Sequence, residues 1–223
     1  MKIKTTEQLW EVISRELAWR RKELSSLRSM ITVSGLSPSK ENALLRSSVA
    51  LTYAHWEGFV KSSATAYLEF VAMQRLNYSE LLPNFVALAI RSDLKAAAQS
   101  KKMDDHRKIV EFFLTRLQSQ SSIPYRDAID TQANLSSAVL KDIIATLGID
   151  YSLYSLKEKL MDERLLRTRN QIAHGGYVEI SKEEVLELQD EIIDLMVTFA
   201  NQIANSASMQ SYRVNGDESS LGA

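Results

Sequence analysis

Residues 169 to 184 read Arg169-Asn170-Gln171-Ile172-Ala173-His174-Gly175-Gly176-Tyr177-Val178-Glu179-Ile180-Ser181-Lys182-Glu183-Glu184. The stretch closes one helix and opens the next. Paired glycines after His174 stop a helix, because glycine readily takes positive φ. Ser181, with Glu183 and Glu184 in the following turn, is a helix start. Val185, Leu188, Ile192, Leu195, Phe199 and Ile203 then recur at spacings of three and four, the apolar stripe of a packing helix.

The same pattern runs outward through the chain. Thr5 or Thr6 caps a first helix to about Ile31, with Leu9, Val12, Ile13, Leu17, Leu24 and Leu27 on one face. Gly35 and Pro38 break it, and a long second helix runs from about Lys40 to Leu76. Gly58 lies inside that helix, at a cost of about 1 kcal/mol against Ala unless close packing requires it. Shorter helices are expected over 84–98 and 105–118, a loop over 118–131, a helix over 134–147 ending at Gly148, and a motif helix over 153–174. The expected fold is all-α, an elongated bundle occupying residues 1–207 as one domain. Residues 208–223 are polar and short of apolar anchors, and a disordered tail is expected there.

Composition narrows the function. Twenty-seven basic residues face 28 acidic ones, so any nucleic-acid contact needs a local patch. There is no Cys, which removes disulfides and thiolate zinc sites and fits a reducing cytoplasm. The N-terminus lacks the apolar segment of a signal peptide, and no run spans a membrane. No phosphate-cradling glycine loop and no His-Glu-x-x-His motif occurs, so neither a metal nor a cofactor is expected.

On an ideal helix of 100° per residue, Leu156, Leu160, Glu163, Arg167, Asn170 and His174 fall near one line. Arg169 falls among apolar positions instead, which demands either a structural acceptor or a cleft that takes an anion. Arg169 and His174 lie about 140° apart and do not share a face. They converge only if the last turn unwinds or if two subunits contribute. Asn170 shares the side of His174, where its amide can set the imidazole tautomer. Arg164, Arg167 and Arg169 form the best basic patch. A histidine near a helix C-terminus commonly does no more than interact with the terminal carbonyls. Elsewhere, His55 and Trp56 read as core residues, Glu57 and Lys61 as a surface pair, Asp104, Asp105 and His106 as a solvated helix start, and Arg20 with its neighbours as a charged outer face.

Arginine, a polar residue, and a histidine five positions after the arginine resemble the signature of the HEPN superfamily, here Arg169, Asn170 and His174. Tyr53-Ala54-His55-Trp56-Glu57-Gly58-Phe59-Val60-Lys61 is similar to a helix of its MAE-like branch. The resemblance implies a helical bundle that pairs as a homodimer. It also implies metal-independent endoribonuclease activity in a toxin–antitoxin or antiviral defence system, with RNA as substrate and a cognate antitoxin or neighbouring defence protein as partner. By that likeness His174 is the general acid or base, Arg169 steadies the phosphate and Asn170 positions both. Arg164 and Arg167 would add phosphate contacts. Some HEPN toxins carry a modified tyrosine two residues after the histidine. Tyr177 comes one position later, and that modification is not carried over. The competing reading is a non-catalytic HEPN-like module for dimerisation or partner binding.

Overall fold

The computed structural model describes residues 2–33 and 35–214. Three long helices make the frame: α1 (Thr6–Thr32), α2 (Pro38–Met73) and α9 (Lys182–Ser208) pack on one another. The starts of α1 and α9 are those the sequence predicts, while α2 begins at Pro38 itself, two residues ahead of the expected Lys40, because proline is tolerated in a helix's first turn. The Thr5 hydroxyl accepts from the Gln8 amide, and Ser181 and Glu184 form a reciprocal capping box. Between α2 and α9 the chain forms α3 (Pro83–Ala89), α4 (Arg91–Gln99), α5 (Met103–Thr115), α6 (Ser137–Leu147), the short α7 (Ser152–Ser155) and the motif helix. The helix expected over 84–98 is two helices, broken at Ile90. Among the described residues no strand forms beyond two isolated bridges. No helix among them is long and apolar enough to cross a membrane.

The α2 helix supplies the centre. Tyr53, Trp56, Phe59, Val60, Tyr67 and Phe70 are buried along it, and Phe59 meets Phe199 of α9 edge-on. Gly58 has a packing reason: a Cβ there would stand 3.0 Å from Nη2 of Arg20. Arg20, expected on a charged outer face, is in fact 6% exposed. Its Nε donates to the His55 carbonyl at 3.2 Å, its Nη1 meets Glu16, and its guanidinium lies 4.3 Å from the Trp19 ring centre. The cation is buried because the helix surface opposite it is only a glycine deep.

His55 is 3% exposed, and its Nε2 lies 2.9 Å from a Glu23 oxygen. Burial pushes its pKa below the ordinary 6.5, outweighing the pull of Glu23, while Arg20 adds to the lowering. The unfolded chain therefore binds the proton more readily. Stability conferred by neutral His55 is present above about pH 6.5 and is lost as pH falls through the lowered value. Urea midpoints measured from pH 8 to pH 5 are expected to fall on the acid side, and less so in His55→Gln.

The tail expectation needs correction over its first half. Residues 209–214 fold back on the bundle rather than hanging free. Tyr212 is buried edge-on to Phe70, the Leu82 amide donates to its carbonyl at 3.0 Å, and Arg213 pairs with Glu80 at 3.0 Å. One aromatic anchor and a two-residue backbone pairing suffice to hold a polar segment. The remaining expected disorder, over 215–223, lies outside the described residues.

Candidate active-site cleft

The motif helix is not a plain α-helix. Residues 160–167 form an i→i+5 π stretch (Leu160–Arg167) that passes directly into α8 (Thr168–Ala173). Such stretches are rare and often mark functional sites. The wider turn brings Met161, Leu165 and Leu166 to one buried face, although on an α-helix positions 161 and 166 would diverge. The line expected from Leu156 to His174 therefore fails at its start. Leu156 is 94% exposed, outside the helix, and Leu160 is buried while Glu163 is not.

At its far end the helix stops in a two-bond glycine cap. The Gly176 amide donates to the Gln171 carbonyl at 2.8 Å and the Gly175 amide to Ile172 at 3.1 Å. Gly175 has φ +77, and a Cβ on Gly176 would stand 2.9 Å from the Gln171 carbonyl oxygen. Each glycine is thus required for a different reason. The last turn stays wound: the His174 amide still donates to the Asn170 carbonyl at 3.0 Å. The route to convergence by unwinding does not occur.

His174 is exposed and lines a cleft of about 550 Å³ with Asp162, Leu166, Arg167, Asn170, Gln171, Gly176 and Tyr177. Three of the five expected site residues, Arg167, Asn170 and His174, thus meet in one cavity. Arg164 does not. The π register turns it toward α9, where it pairs with Glu187 at 2.9 Å.

Arg169 also lies outside the cleft lining, and its environment answers the question its apolar position raised. Its guanidinium stacks 4.1 Å over the Tyr53 ring. Nη1 donates to Asn134 Oδ1 at 3.1 Å and to Asn170 Oδ1 at 2.6 Å, and Nη2 stands 3.9 Å from Glu57. Glu57 therefore faces Arg169 rather than making the expected surface pair with Lys61. The Asn170 amide oxygen is engaged by Arg169, and its link to His174 is through the backbone. The loop that presents Asn134 is strained, with Gln132 and Ala133 both at positive φ (53 and 59). Tyr53 is held from below, its hydroxyl accepting from the Leu135 amide at 2.7 Å. Burial raises the pKa of that phenol, so it stays protonated.

Several residues around the cleft carry no sequence signal by themselves. Asp162 accepts from the Ser137 amide at 2.7 Å and from its hydroxyl at 2.5 Å, tying the π stretch to the start of α6. Arg46 of α2 donates to the Gly176 carbonyl at 2.8 Å and holds the chain just past the motif. Tyr53 and Glu57 had a signal, the likeness of 53–61 to a known helix, but nothing in it linked them to Arg169. His106 bonds the Ala97 and Ser100 carbonyls, both at 3.0 Å, and serves to cap the α4–α5 turn. Among the described residues no group of three His, Asp or Glu side chains is placed to hold a metal ion.

A family model described as RiboL-PSP-HEPN matches residues 15–205. The match supports membership of the HEPN superfamily and does not confirm the MAE-like branch to which the 53–61 stretch pointed. No curated protein and no solved structure gives a match.

Proposed function

The chain belongs to the HEPN superfamily, through its RiboL-PSP-HEPN family, and from that premise we propose that it is a metal-independent endoribonuclease acting as a homodimer in a toxin–antitoxin or antiviral defence system. The observation that carries this reading is the shared cleft of Arg167, Asn170 and His174, open to solvent and shaped by a rigid helix end. An exposed imidazole that lines the same cleft as a cation suits RNA cleavage by the 2′-hydroxyl.

In this reading His174 takes the proton of the 2′-hydroxyl. The oxygen attacks the phosphorus in line, the bond to the 5′-oxygen breaks, and a cyclic 2′,3′-phosphate remains. The leaving 5′-oxygen takes a proton from His174 of a second copy. Arg167 contributes charge to the phosphate. Arg169 is a positioning residue within its own protomer, since its fork holds Asn170 and is itself clamped by Tyr53, Glu57 and Asn134. We read the described residues up to Val214, whose last stretch packs back on the bundle, as one domain that carries this site.

The clamping of Arg169 favours one alternative, a non-catalytic HEPN-like module in which the motif is only a helix end. Growth separates the two. Expression of the wild type without its genomic neighbour is expected to arrest growth, and His174→Ala to relieve the arrest. Purified protein is expected to cut RNA undiminished in excess chelator. Equal tolerance of wild type and variant, with no cleavage in vitro, would select the module.

A further inference from the structure

A second cavity, of about 750 Å³, adjoins the candidate cleft. The two share Tyr177, which is 77% exposed, and Arg46 of the second cavity donates to the carbonyl of the neighbouring Gly176, which lines the first. The cavity lies between the start of α2 and the non-helical segment that leads into α9, and its polar lining includes Asn42, Arg46, Glu179, Lys182 and Glu183.

We propose that this cavity is a nucleobase pocket, taking the base that flanks the scissile phosphate and preferring guanine; the proposal rests on the ribonuclease reading above. Three observations point there. First, the charge is wrong for a phosphate. Glu41, Glu179 and Glu183 line the cavity against Arg46 and Lys182, so carboxylates outnumber cations. None of the three carboxylates has an ion-pair partner among the described residues. They are therefore available as acceptors for a neutral ligand rich in donors. Second, Tyr177 offers an exposed aromatic face at the boundary of the two cavities. Single-stranded RNA is read largely by stacking unpaired bases on such faces and bonding their edges. Third, the segment from Val178 to Ile180 has no helical structure, and both Tyr177 and Glu179 line the cavity. A stacking surface and a carboxylate are thereby presented together.

The carboxylate selects among bases. Guanine alone carries two adjacent donors on its pairing edge, N1–H and N2–H, which match the two oxygens of Glu179. Its O6 needs a donor, and Lys182 and Asn42 line the same cavity. Cytosine and adenine present one donor group beside an acceptor, which a carboxylate repels.

The test uses the full chain carrying His174→Ala, so that bound RNA is not cut. Binding of labelled RNA pentamers that differ at one central base is followed by fluorescence anisotropy. The guanine pentamer is expected to bind at least about tenfold more tightly than the others, and inosine in its place to lose most of that margin. Glu179→Gln in that background is expected to erase the guanine preference. Tyr177→Ala should weaken every pentamer, and Tyr177→Phe should not. Equal binding of all pentamers, unchanged by Glu179→Gln, overturns the pocket while leaving wild-type cleavage as separate support for the nuclease. Absence of binding to any pentamer, with no cleavage by wild type, overturns both.

Discussion

His174→Ala is expected to lower RNA cleavage by about a hundredfold to ten-thousandfold, the usual contribution of a positioned general acid or base. The fold should not notice. His174 is exposed, and its link to the preceding turn is a backbone bond to the Asn170 carbonyl that alanine keeps. Surface changes of this kind usually move stability by less than about 0.5 kcal/mol. A loss of cleavage with an unchanged melting temperature would therefore report on chemistry. Cleavage rates equal to wild type would remove His174 from the mechanism and leave the helix-end role as its whole explanation.

Arg169→Ala is expected to damage both activity and stability. The side chain is 24% exposed and ties α8 to α2 through the Tyr53 face and Glu57, and to the 133–134 loop through Asn134. A desolvated cation–π contact contributes up to about 2 kcal/mol and a charged hydrogen bond about 1.5–3. These overlap, and a net loss of about 2–3 kcal/mol is the expected result. Glu57, 20% exposed, would be left with no cation beside it. Because stability falls, activity alone does not reveal the role. The informative measurement is a double-mutant cycle with Asn170→Ala, read at a temperature where every variant is folded. If Arg169 acts by holding Asn170, the double variant cleaves about as slowly as either single one. Independent, multiplying losses would instead mean that Arg169 meets the phosphate directly, as it would in a cleft completed by a second copy. Arg169→Lys is expected not to rescue, since a lysine lacks the planar fork that stacks on Tyr53 and reaches two amide oxygens at once.

The two variants probe parts of the site that differ in how far they can be read in advance. The end of the motif helix was legible. Gly175 and Gly176 announce a stop, and the cap they form follows from backbone geometry within six residues. The position of Arg169 among apolar neighbours was legible as a problem, because a buried cation needs acceptors. Its solution was not, since Tyr53 and Glu57 lie more than a hundred positions earlier. The burial of Arg20 was misjudged for a similar reason. A charged residue on an amphipathic helix looks solvated until a glycine on the facing helix makes room for it.

By itself the sequence determined what is local: helices with their apolar periodicity, the caps at Thr5 and Ser181, the glycine stop after His174 and the residue pattern of the superfamily. These depend on bonds a few positions apart and survive whatever the helices pack against. Tertiary packing alone decided the π register over Leu160–Arg167, and with it which arginine faces the cleft and which faces Glu187. It also decided that Arg169 turns to Tyr53, and that residues 209–214 fold back along Leu81 and Leu82. Helix register and ion partners answer to surfaces brought together from distant parts of the chain, where one apolar contact or one unpaired charge outweighs any local preference.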